Sequence, residues 1–318
     1  MMSRFVQKLA ALTAWITLVA GGVSLLFWPG RAPAWVLFAL LTTSRPLLQA
    51  RRWARGTALG SVVAWTAIAV VLGALAQWRA IGVPTSTGRP AAGAWAYLSA
   101  LATLAALISA FNARRPGGGA WAILMGMLVL VFCIPWLEGS GLAHRGAGWG
   151  PPRLDAPWSG FYALLIVAGA TNYLPPRYGP SAAAVACSLA VAGFARGTPA
   201  VESTMAAAAP WALALAIWLA EARSRAPTRG VTGLDRLWRW FRDHWGVVWA
   251  LRVQERFNRA AEGGGWPVRL GWFGPERPGE STSSAIPPET PLATLSLLLR
   301  RFADADRIVA EAGDPPGP

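Results

Sequence analysis

The chain has 318 residues, 54% of them hydrophobic and 14% charged, with a formal net charge of +14 carried almost wholly by arginine, Lys8 being the single lysine. Such an apolar excess excludes an ordinary soluble chain of this size. Nucleic-acid binding is excluded too. Residues 1–220 hold 15 basic and 3 acidic side chains and residues 221–318 hold 14 and 12, so the basicity lies between apolar runs and forms no contiguous face on a soluble unit.

Eight stretches of residues 1–220 approach the roughly 20 apolar residues that cross a hydrocarbon core. They run Leu9–Trp28, Ala34–Gln49, Thr57–Trp78, Gly93–Asn112, Ala120–Leu137, Gly160–Leu174, Ser181–Ala195 and Met205–Ala220. The second is the weakest, because Thr42, Thr43, Ser44, Arg45 and Pro46 interrupt it. Arg4 and Lys8 ahead of the first run, with Ala32-Pro33-Ala34 after it, resemble a cleavable signal. The run is longer than a signal core of about 7–15 residues, so an uncleaved first span is expected.

Lys and Arg counts in the short loops place the N-terminus, the loops holding Arg45, Arg51, Arg52, Arg55, Arg114, Arg115 and Arg177, and the tail on the cytoplasmic side. Trp28, Trp78, Trp95, Trp121, Trp136, Trp158 and Trp211 fall near span ends, where indole rings sit at the headgroup level. Cys133 and Cys187 each stand alone in an apolar run, which leaves no disulfide framework and no CxxC metal site. The preference for Arg over Lys, with many Ala, Gly and Pro, fits a high-GC bacterial coding sequence.

Residues 221–273 are expected to comprise a linker, an amphipathic helix and a short extended segment. From Leu234 to Leu251, Trp238, Trp240, Phe241, Trp245 and Trp249 share the apolar half of a helical wheel, and Arg236, Arg239 and Arg242 share the other. Such a helix directly after a span reads as lying in the cytoplasmic membrane interface; the alternative packs the same stripe on a small domain or a partner. Gly263-Gly264-Gly265 stops it, and Trp266 to Phe273 alternates like an edge strand that needs a partner. Residues 274–290 read as a flexible linker. In residues 291–318 a last amphipathic helix follows, with Thr290 as its N-cap and Leu292, Leu295, Leu299, Phe302 and Val309 as its stripe.

Two polar groupings are candidate sites. Glu138, His144, Asp155 and Glu202 would share the outer face, but without metal-ligand spacing. The stretch from Thr171 to Pro180 would hold Asn172, Tyr173, Arg177 and Tyr178 at the cytoplasmic surface in a proline-rich turn. No span centre is charged, no phosphate-binding loop occurs, and two histidines build no Ser/His/Asp constellation. The expectation is an all-α polytopic protein of a bacterial inner membrane, with about eight transmembrane helices, both termini cytoplasmic, and a tail of amphipathic helices with one short β element. Its expected role is a non-enzymatic accessory or scaffolding component without metal or cofactor, contacting the bilayer and docking protein partners through residues 234–273 and 291–312. A small-solute transporter or channel is the alternative, and a membrane enzyme on a lipid-linked substrate is a third.

Overall fold

A computed structural model of the chain describes residues 2–81, 90–111, 119–139, 154–194, 199–225, 232–276 and 289–313. Helix dominates it. The bundle contains α1 (Met2–Phe27), α2 (Ala32–Thr42), α3 (Ser44–Trp53), α4 (Leu59–Ala80), α5 (Pro90–Ser109), α6 (Gly119–Gly139), α7 (Ala156–Thr171), α8 (Gly179–Phe194) and α9 (Pro199–Ser224). The most extensive packed pairs are α4 with α5 and α8 with α9. Helix α5 is the central one, buried continuously from Ala100 to Ala110, as a helix apolar on all sides must be.

Two helices, Leu59–Ala80 and Thr204–Ser224, are long and apolar enough to cross a membrane on length and composition alone; they coincide with the third and eighth expected spans. Segments of α1, α5, α6, α7 and α8 are apolar but shorter. Large apolar side chains crowd the outside of the bundle: Leu12, Ile16, Val19 and Leu26 on α1, Ile68, Val71 and Leu75 on α4, Ile123, Met127 and Leu130 on α6, Leu164 and Val167 on α7. Small residues face inward at the same heights, Ala14 on α1 and Ala69 and Ala76 on α4. Soluble proteins rarely leave so large an apolar surface to water.

Residues 34–49 do not form one span. The helix breaks at Thr43, where the hydroxyls of Thr42, Thr43 and Ser44 donate to the carbonyls of Ala39, Leu40 and Leu41 and offer the chain local bonds that compete with a continuous helix. The 11 residues of α2 extend about 16 Å, against a hydrocarbon core of about 30 Å. By contrast, Pro210 inside α9 does not end that helix. Its missing N–H frees the Ala206 carbonyl, and Gln77 Nε2 of α4 donates to it at 3.2 Å.

The tail is a small folded unit. It comprises α10 (Gly233–Gly263), β1 (Arg269–Gly271), β2 (Gly274–Glu276), α11 (Glu289–Leu299) and α12 (Ala305–Ala312). Thr232 caps α10 by accepting from the Asp235 amide. The stripe expected to lie on a membrane is the core of this unit: Trp238, Trp240, Phe241 and Trp245 are buried against Leu295, Leu299, Phe302 and Ile308. Helices α11 and α12 supply the apolar cover expected of a bilayer. The arginines of the other face are engaged within the tail as well. Arg236 donates to the Ala312 carbonyl at the end of α12, and Arg239 to Asp235. Arg242 is buried, bonded to Asp243 and to the Trp272 carbonyl.

Three element boundaries move. The partner of the Trp266–Phe273 strand is Gly274–Glu276, which the Pro and Gly content places in a linker; β1 and β2 pair antiparallel with Gly271 opposite Gly274. The free edge of β1 is met by side chains of α10, since Asn258 both accepts from and donates to the Leu270 backbone and Gln254 donates to the same carbonyl. The last amphipathic segment is two helices, α11 and α12, turned at Arg300–Asp304. Bundle helix α9 also continues past Ala220 to Ser224, which brings Glu221 into the bundle.

Candidate functional site

The turn between α7 and α8 begins at Asn172 and is kept non-helical by Pro175 and Pro176, while Pro180 stands in the first turn of α8, where its missing N–H costs nothing. It meets α10 at the one residue where α10 leaves helical geometry, Gly246, at φ 76° and ψ −176°. A helix restarted there has amide hydrogens with no partner in its own first turn. Asn172 supplies both acceptors. Its carbonyl takes the Val247 amide and its Oδ1 takes the Val248 amide, each at 3.0 Å, so a bundle residue caps a tail helix as an N-cap side chain would. Asn172 is only 2% exposed, and a Cβ on residue 246 would lie 2.5 Å from its Nδ2.

The neighbouring residues extend the junction. The Tyr173 hydroxyl donates to the His244 carbonyl at 3.2 Å, the Trp249 indole to the Phe111 carbonyl at 3.2 Å, and Arg307 to the Trp53 carbonyl at 3.4 Å. Trp53, at the end of α3, stacks on Tyr178 and meets the His244 ring edge-on at 5.6 Å. Burial pushes the Tyr173 phenol well above its ordinary range and Tyr178 up to about 12, the latter against the lowering effect of Arg177. Both remain hydroxyl donors near neutral pH. His244, half-buried between Trp53 and Trp240, is pulled down to about 4, chiefly by loss of solvent. It is therefore neutral, and its Nδ1 lies 2.7 Å from the Trp240 carbonyl, where it donates.

On the bundle side of this junction lies a partly open apolar cavity of about 150 Å³, lined by the tail-side turns of α3, α4, α5, α8 and α9. It reaches from Trp53, Tyr173 and Tyr178 down to Thr66, Thr103 and Leu213; from Leu59 to Thr66 the walls extend about 10 Å along α4. The acidic residue of its lining, Glu221, is buried and paired with Arg225 one turn on.

Of the two sequence-level groupings, the Asn172–Tyr178 turn is brought together with α10. For the outer grouping, His144 and the Glu138 side chain lie outside the described residues, Asp155 is exposed and caps α7 by accepting from the Trp158 amide, and Glu202 is exposed in the first turn of α9. Among the described residues no group of His, Cys, Asp and Glu side chains could hold a metal ion. Sequence alone gives no cue to Trp53, Ser181 or His244 as junction or cavity residues, although Glu221 and Arg225 stand at the i, i+4 spacing of a helical ion pair. No protein family, no curated protein and no solved structure matches this chain.

Proposed function

We propose that the chain is a multi-pass protein of a bacterial inner membrane, with both termini cytoplasmic, that acts as a non-enzymatic accessory component. Its bundle holds a folded tail domain at one fixed orientation on the membrane surface for a protein partner. The apolar outer belt and the two membrane-length helices support the lipid placement. The observation that carries the role is the capping of Val247 and Val248 by Asn172. A tail that swung freely on its linker would need its own cap at Gly246; a cap lent by the bundle fixes one domain on the other.

The ionisable and nucleophilic groups at the junction favour holding over catalysis. Glu221 is neutralised by Arg225 and His244 is committed to the Trp240 carbonyl. Neither phenol ionises near neutral pH, so the pair poised to donate and accept protons that acid–base catalysis requires is missing from this junction. Purification from native membranes in a mild detergent tests the reading. A stoichiometric partner that stays with the wild-type protein and is lost with Asn172→Ala fits it, and a protein that runs alone at its monomer mass in several mild detergents contradicts it.

A further inference from the structure

Polar side chains inside a membrane bundle ordinarily satisfy themselves on the backbone. Thr66 and Thr103, in the cavity wall, donate to the Val62 and Ser99 carbonyls at 2.7 and 2.8 Å. Two groups lining the same cavity do not. The hydroxyl of Ser181, a residue 7% exposed, and the indole N–H of Trp53 are both buried without a hydrogen-bond partner. Buried polar atoms are nearly always bonded, and these two line a space that is otherwise almost wholly apolar.

We propose that the cavity binds a membrane-dissolved ligand whose hydrocarbon body fills the space between α4, α5, α8 and α9 and whose carbonyl oxygen accepts from Ser181 Oγ–H and Trp53 Nε1–H. The indole can only donate, which calls for an acceptor. Arg225 is committed to Glu221 and the rest of the wall offers an anion no counter-charge, which makes the acceptor neutral. An apolar cavity of about 150 Å³ takes a guest of benzene size, so one ring or a short chain segment is held while the rest of the molecule continues into the bilayer. The acyl ester of a lipid and the ring of an isoprenoid quinone share this chemistry. The inference rests on the lipid placement of the bundle but not on any partner of the tail, so the two can fail separately.

The test is the thermal transition of the full chain in a maltoside detergent, which brings no carbonyl of its own, titrated with a decyl-substituted benzoquinone, a diacyl phosphatidylcholine, or dodecane. A saturable upward shift with a carbonyl-bearing probe is expected, about tenfold weaker in affinity for Ser181→Ala. The same shift is abolished by Ala216→Leu, which fills the cavity and leaves the ligand-free transition unchanged or higher. A response to the benzoquinone alone assigns the ring, and a response to the phosphatidylcholine alone assigns the ester. An equal shift with dodecane, an unchanged affinity in Ser181→Ala, or no shift with any probe overturns the proposal. Ser181→Ala removes one atom, so the test stands even where Ala216→Leu fails to fold.

Discussion

Asn172 caps a helix 76 residues further along the chain, and the residue it serves tolerates no side chain. The backbone at Gly246 occupies a region open essentially to glycine alone, and the space a Cβ would need is filled by the Asn172 amide. Gly246→Ala is therefore expected to cost the tail about 2–3 kcal/mol, read as a lower urea midpoint by tryptophan fluorescence. Gly263→Ala, in the same helix but with open space at its Cβ position, is expected to leave that midpoint unchanged within about 0.5 kcal/mol.

His244 adds a pH dependence with a definite sign. Its folded pKa near 4 lies below the unfolded value of about 6.5, so the unfolded chain binds more protons between the two. The stabilisation from burying the neutral ring is complete above pH about 6.5 and falls away as the pH drops toward 4. The hydrogen bond to the Trp240 carbonyl and Asp243 oppose the depression, and Arg307 and Arg177 deepen it. The tail midpoint is expected to fall between pH 7 and pH 5, with a smaller fall in His244→Asn; equal falls in both proteins would assign the response to carboxylates.

At the scale of elements, α11 and α12 belong to the core of the tail. Phe302 meets Phe241 at 5.0 Å, Trp249 at 5.6 Å and Trp245 at 6.3 Å, so Phe302→Ala is expected to destabilise the tail by about 3 kcal/mol. An unchanged urea midpoint would mean that the turn between α11 and α12 is only tethered. The same elements mark how far sequence reaches. The period from Leu234 to Trp249 identifies the apolar face of α10, because that face is a local property of the chain. What covers it is set by Leu295, Leu299 and Phe302, some 50 residues away, and periodicity carries no information about a partner. The Gly246 break is unreadable for the same reason, since its cap comes from another domain. The turn from Asn172 to Tyr178 is legible as a place, because its prolines forbid helix, but its role depends on contacts with α10 that no local rule encodes. The failed second span is half legible: the polar run at Thr42–Ser44 is visible, while the three back-bonds that divide the helix are conformational.

For the whole molecule, the two halves invert each other. The bundle leaves many of its large apolar side chains on the outside, whereas the tail buries six tryptophans or their faces against its own helices and hairpin. The proposed lipid placement suits the first and a watery surface the second, and the junction is where the two halves meet. Trp53 and Tyr173 serve both sides, lining the cavity while holding His244 and its carbonyl, so what fills the cavity bears on the tail through the same residues. In the proposed role the tail is fixed on the bundle through Asn172. Hydrogen exchange at the amides of Val247 and Val248 in the full-length protein tests it most directly, because first-turn amides of a helix ordinarily exchange fast for want of a partner. Both amides are expected to be protected like the interior of α10 and to lose that protection selectively in Asn172→Ala; rapid exchange of both in the wild-type protein, with the rest of α10 protected, would show that the bundle does not cap the tail.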